Sequence, residues 1–115
     1  MEYFKSVCRS ARCAVAGLLK TYRSERSIRL QSMIGWVVVS LGLVLHIGAV
    51  RLALVILSIG VIIALETVNT AIEKAMDFVE PEHHPTVGLV KDLAAGAVAA
   101  AVVTAMAVCF LAFFL

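Results

Sequence analysis

The sequence predicts an all-α integral membrane protein, with an N-terminal amphipathic helix on the membrane surface followed by three transmembrane helices. Three observations lead there. The chain of 115 residues is 62% hydrophobic with a mean hydropathy of +1.00, whereas ordinary globular domains are about 45–50% apolar. No charged residue lies between Arg29 and Arg51, and none lies from Leu93 to Leu115. Of the 10 Lys and Arg, seven precede residue 30, as expected of a segment that stays beside the membrane. A soluble helical core is the alternative, but a body this small has little interior in which to hide so much apolar surface. The length suits a single domain.

The surface helix is expected over residues 1–29. Phe4, Val7, Cys8, Ala11, Val15, Leu18, Leu19 and Tyr22 recur at helical spacing, while Lys5, Arg9, Arg12, Lys20 and Arg23 lie mostly off that stripe. Such a helix suits a surface bearing anionic headgroups, and it equally suits packing on the bundle. This segment has no apolar core ahead of a small-residue cleavage site, so no secretory signal is evident and the N-terminus is expected to be retained.

The first span is expected over residues 30–50, long enough to cross a hydrocarbon core of about 30 Å. "HIGAV" and Arg51 then turn the chain, and a second span is expected over residues 52–79. "EPEHHPT" holds two prolines among polar residues, which stops a helix, and Thr86 is placed to cap the next one. The third span is expected over residues 88–115. Its Gly88, Ala95, Gly96, Ala99, Ala100 and Ala101 would allow close approach between helices. The basic N-terminus places that end in the cytoplasm by the positive-inside tendency, and with it the loop before the third span. Cys8, Cys13 and Cys109 lack metal-ligand spacing and read as small apolar residues.

The second span carries the chemistry. In "ALETVNTAIEKAMD", at about 100° per residue, Glu66, Asn69, Glu73 and Asp77 fall within an arc of about 80°. Counting from Leu52, Glu66 lies about 20 Å along the helix and Glu73 about 30 Å along, so one carboxylate is deep and the other interfacial. A charge at mid-span costs about 2.5–3.5 kcal/mol on insertion scales, so this face must turn toward protein, water or ligand.

Glu25, Glu82 and Asp92 approach the same cytoplasmic level. Converging oxygen ligands at a membrane boundary suit Mg²⁺, which takes one or two carboxylates and commonly accompanies nucleotide phosphates. His83 and His84 are placed to touch a nucleotide or simply to face water. No glycine-rich phosphate loop of either familiar kind is present. The residues alone leave three functions open: an enzyme of phosphoryl transfer, a small proton-coupled carrier using Glu66 as its cation site, and an assembly subunit whose polar face only joins helices.

The pattern E-x-x-N-[ST]-A-I-E-x-x-x-D, then E-x-H, then K-D before small residues, is formed here by Glu66, Asn69, Thr70, Ala71, Ile72, Glu73, Asp77, Glu82, His84, Lys91 and Asp92. It closely resembles the signature of the small prokaryotic diacylglycerol kinase family, which includes the undecaprenol kinases. Weaker agreement at Phe4, Ala14, Gly17 and the Glu25-Arg26 pair extends the likeness over nearly the whole chain. Ser27 departs from it, where relatives often carry asparagine, and so does His83, where an aromatic is common.

The resemblance implies a homotrimer in a bacterial inner membrane, with active sites between subunits. It implies MgATP as donor, a lipid hydroxyl of undecaprenol or diacylglycerol as acceptor, and no nucleic-acid partner. Carried over by position, Glu66 resembles the catalytic base, and Glu25 and Glu73 the metal ligands that also hold the nucleotide. Asn69, Glu82, His84, Lys91 and Asp92 resemble further contacts to ATP.

Overall fold

Helix forms wherever apolar or amphipathic runs allow it, and the chain breaks at three short segments. The computed structural model describes residues 1–82 and 84–115, arranged as α1 (Glu2–Ser24), α2 (Arg26–Val44), α3 (Ala49–Val79) and α4 (Pro85–Phe114). The last three are long and apolar enough to cross a membrane, as the sequence predicts. His83 lies outside the described residues.

α1 is amphipathic and buries none of its residues within the chain. It ends at Ser24 because Glu25 adopts an extended backbone, φ −109° and ψ 115°. The Arg29 guanidinium then reaches back and donates to the carbonyls of Tyr22 (3.2 Å) and Arg23 (2.7 Å). Those carbonyls belong to the last turn, which has no partners of its own. The sequence places this break at residue 29, because no glycine or proline marks it. α2 therefore starts earlier than expected, and its 19 residues span about 28 Å.

The turn after α2 occupies residues 45–48, where His46 has φ 54° and Gly48 has φ 99°. Gly48 is in the region that only glycine enters freely. α3 begins just beyond it at Ala49, three residues ahead of the expected start. The loop before α4 brings a second difference. Pro85 is the first helical residue and His84 the cap, its Nδ1 accepting from the Thr86 backbone N–H at 3.1 Å. The expected cap was Thr86. Proline suits a first turn because its missing N–H would have no partner there, and it drives the preceding residue to an extended backbone. His84 adopts that backbone, φ −134° and ψ 133°.

α3 is the central element, packed along both α4 and α2. α2 approaches closely at Gly35, where an added Cβ would lie 2.7 Å from Ile59 Cγ2. Val55 is wholly buried. At the far end of the bundle the Arg51 guanidinium donates to the carbonyls of Ala112 (3.2 Å) and Leu115 (3.3 Å), closing the C-terminus of α4.

The assembled chain is a slab of 49 × 46 × 22 Å with a radius of gyration of 17.2 Å, against about 13 Å for a compact domain of this length. Its surface of 8549 Å² exceeds the roughly 6100 Å² of a compact monomer of this mass. Trp36, Val37, Leu57, Met106 and Phe110 contribute exposed apolar surface on the spans, which suits a hydrocarbon surrounding.

Gly35→Ala is expected to push α2 off α3 at Ile59, costing about 1–3 kcal/mol. Thermal unfolding in detergent micelles reads this, and an unchanged midpoint would show that the two helices have room to spare.

Candidate functional site

The polar face of α3 turns inward, and its exposure changes along the helix. Asn69 is 9% exposed and Thr70 6%, Glu66 is half-buried, and Glu73 and Asp77 are exposed. Val68, on the opposite side, is 51% exposed. The face therefore leads from a sheltered carboxylate to open ones, as membrane insertion requires of charged groups.

Two amides attend the two nearer carboxylates. Gln31 on α2 donates its Nε2 hydrogen to Glu66 Oε2 at 3.4 Å, and Asn69 donates its Nδ2 hydrogen to Glu73 Oε1 at 3.3 Å. The other end of each amide, Gln31 Oε1 and Asn69 Oδ1, is buried without a hydrogen-bond partner among the described residues. Within α3, the Thr70 hydroxyl donates to the Glu66 carbonyl at 3.0 Å, which accounts for its burial. Further toward the loop, Asp77 pairs with Lys91 across the α3–α4 contact.

The remaining residues singled out from the sequence surround this face less tightly. Glu25 sits half-buried between α1 and α2 and makes no side-chain capping bond. Glu82 is exposed in the loop, His84 caps α4, and Asp92 is exposed on its second turn. Among the described residues, no hydrogen bond or ion pair joins Glu25, Glu82 or Asp92 to another side chain. Nor, among them, do three Asp, Glu, His or Cys side chains converge as a metal cluster. The chain thus brings together Gln31 with Glu66, Asn69 with Glu73, and Asp77 with Lys91.

Sequence reasoning missed Gln31 and Arg29. Gln31 is uncharged and stands in a run judged by its lack of charge; the available signal was an amide at the polar end of a span, where it must find a partner. Arg29 read as one more basic residue, although a cation just beyond a helix end commonly serves the last carbonyls.

Fold and site together define a small helical integral-membrane protein with an acidic, amide-attended site toward one end of its longest helix. Residues 12–113 match the family model described as prokaryotic diacylglycerol kinase, and the chain belongs to that family. It is similar to the undecaprenol kinase of Bacillus subtilis (strain 168), 33% identical over 97 residues covering 84% of this chain and 76% of that one. It is also similar to the diacylglycerol kinase of Synechocystis, 33% identical over 86% of this chain and 57% of the other. The diacylglycerol kinase of Escherichia coli K12 is 26% identical over 90% and 84%. The chain is accordingly an ATP-dependent lipid kinase, and the carrier and assembly-subunit readings give way to it.

The Lys91 and Asp77 side chains are 36% and 65% exposed, so water screens their attraction. Asp77→Asn is expected to cost about 1 kcal/mol or less of unfolding stability, measured by denaturant titration in micelles. A much larger loss would show that the pair is shielded in the assembled protein.

Proposed function

We propose that this protein transfers the γ-phosphate of ATP to the hydroxyl of undecaprenol or diacylglycerol at the cytoplasmic boundary of a bacterial inner membrane, with its N-terminus in the cytoplasm. The observation that carries the reading is the change in exposure along one face of α3, from half-buried Glu66 to exposed Glu73. The two are seven residues apart, about 10 Å along the helix. A lipid alcohol that stays in the bilayer can reach the first, and a water-soluble nucleotide the second.

Phosphoryl transfer asks a protein chiefly to position donor and acceptor and to neutralise phosphate charge. In this reading Glu66 takes the proton of the lipid hydroxyl as general base. Glu73 and Glu25 hold Mg²⁺, and Asn69, Glu82, His84, Lys91 and Asp92 contact the nucleotide. What supports a metal at Glu73 is that Asn69 engages only Oε1 of this exposed side chain, and Mg²⁺ needs only one or two carboxylates beside phosphates and water. When bound, the ion supplies charge neutralisation at the phosphates. Asn69 has the further task of fixing the Glu73 carboxylate from the same helix.

A homotrimer is part of the reading. Its support is the open slab, whose surface exceeds that of a compact monomer, and the face of α4 at Gly88 and Gly96, where an added Cβ would meet nothing within 4 Å. Small residues with open space before them are what close helix contacts use. Chemical cross-linking in membranes is expected to give a ladder ending at three copies; one ending at two would remove the trimer.

The test is purified protein offered each lipid with radiolabelled ATP and Mg²⁺, followed by lipid extraction. Label in the lipid fraction is expected, and the faster acceptor identifies the substrate; no label with either would sink the proposal. Glu66→Gln is expected to abolish transfer while ATP still binds, and near-normal turnover would remove Glu66 from the base role. Glu73→Gln should weaken Mg²⁺ and ATP binding, and unchanged affinity would contradict its assignment.

A further inference from the structure

Gln31 stands on α2, half-buried, two residues after Arg29 in a stretch otherwise free of charge. Among the described residues its one side-chain hydrogen bond crosses 35 positions of chain to Glu66 Oε2, and its own Oε1 is buried and finds no partner there. A stranded buried acceptor costs free energy that an apolar side chain of the same size would not incur. The alternative orientation is worse, because turning the amide over would set its carbonyl oxygen against the carboxylate. The amide is therefore held with its N–H toward Glu66, at the expense of its other end. What the side chain provides is the contact to that one oxygen.

The geometry points to Gln31 as a positioning residue for the phosphoryl-transfer step: it pins Glu66 Oε2 and so presents the second oxygen, Oε1, to the acceptor alcohol. This rests on the reading of Glu66 as base. In the step, the alcohol proton passes to Glu66 Oε1 while the alcohol oxygen bonds to the γ-phosphorus. The bond from that phosphorus to the β–γ bridging oxygen breaks, and ADP leaves with the electron pair. Gln31 makes and breaks no covalent bond. Its amide is neutral, so it fixes the direction of the carboxylate without adding the full charge that a lysine or arginine would bring to the base. A base misdirected by about 1 Å can cost about a hundredfold in rate, which is the scale on which a single orienting contact matters.

An interhelical hydrogen bond that merely ties α2 to α3 is the structural alternative, and three variants separate the two. Gln31→Met keeps length and removes the donor, Gln31→Leu removes it in a shorter apolar side chain, and Gln31→His retains an N–H. Each is assayed as full-length protein in mixed micelles with MgATP and the lipid that the wild type phosphorylates, beside thermal unfolding. The expected result is kcat lowered about 10- to 100-fold in the first two, KM for ATP unchanged, unfolding temperature near wild type, and partial recovery of kcat in Gln31→His. Should Gln31→Met fail to fold, Gln31→Leu and Gln31→His carry the comparison. Near-normal kcat in either donor-free variant overturns the proposal. So does an equal loss in all three that follows a fall in unfolding temperature, which would make the contact structural. The two claims fail separately: an inactive Glu66→Gln beside an active Gln31→Met removes Gln31 alone, whereas an active Glu66→Gln removes the base itself.

Discussion

A carboxylate on a membrane-spanning helix can persist only if its oxygens are kept away from acyl chains, since an ionised group at mid-span carries a penalty of several kcal/mol. α3 meets that constraint by turning Glu66 toward α2, by burying Asn69 and Thr70 beside it, and by leaving Val68 to face outward. The rest of the bundle follows from it. α2 must come close enough for a glutamine to reach Glu66, and Gly35 lets it do so one turn further along by admitting Ile59. α4 packs along the same helix and buries its own Val98 and Ala105.

The ends of the helices are held by cations that sequence patterning treats as surface charge. Arg29 closes α1 and Arg51 closes α4, each through two backbone carbonyls. In both cases an arginine supplies donors to groups that have lost their helical partners. The consequence for the site lies at the first junction, because Glu25 is the single extended residue between α1 and α2. Its own N–H donates to the Thr21 carbonyl at 2.8 Å while Arg29 closes the two carbonyls that follow, so a side chain in the proposed site stands on a junction tied from both directions.

Much of this architecture was legible in the sequence, because the signals involved are strong. Three apolar runs and the 3.6-residue stripe of α1 do not depend on tertiary context, and the shared face of Glu66, Asn69, Glu73 and Asp77 follows from helical geometry alone. What was not legible depended on contacts between distant positions. The break at Glu25 carries no glycine or proline and is stabilised from Arg29, which a local reading cannot see. Pro85 looked like part of a loop because its neighbours are polar, yet its own chemistry favours the first turn of a helix. Gln31 showed only that an amide near the end of a span needs a partner; that partner lies 35 positions away, and only coordinates bring the two together.

The pairing of amide with carboxylate also bears on how so small a fold handles phosphate. Lysine or arginine beside each glutamate would offset its charge more strongly, and would so neutralise the groups proposed to take a proton or hold a cation. Neutral amides hold direction while leaving the charge in place. The one intrachain ion pair among the described residues, Asp77 with Lys91, sits further toward the loop, where its side chains meet water. The chain thus sets an amide beside half-buried Glu66 and beside exposed Glu73 alike, and a cation beside Asp77 nearer the loop. That ordering keeps the cation away from the two carboxylates proposed to act on substrate and metal.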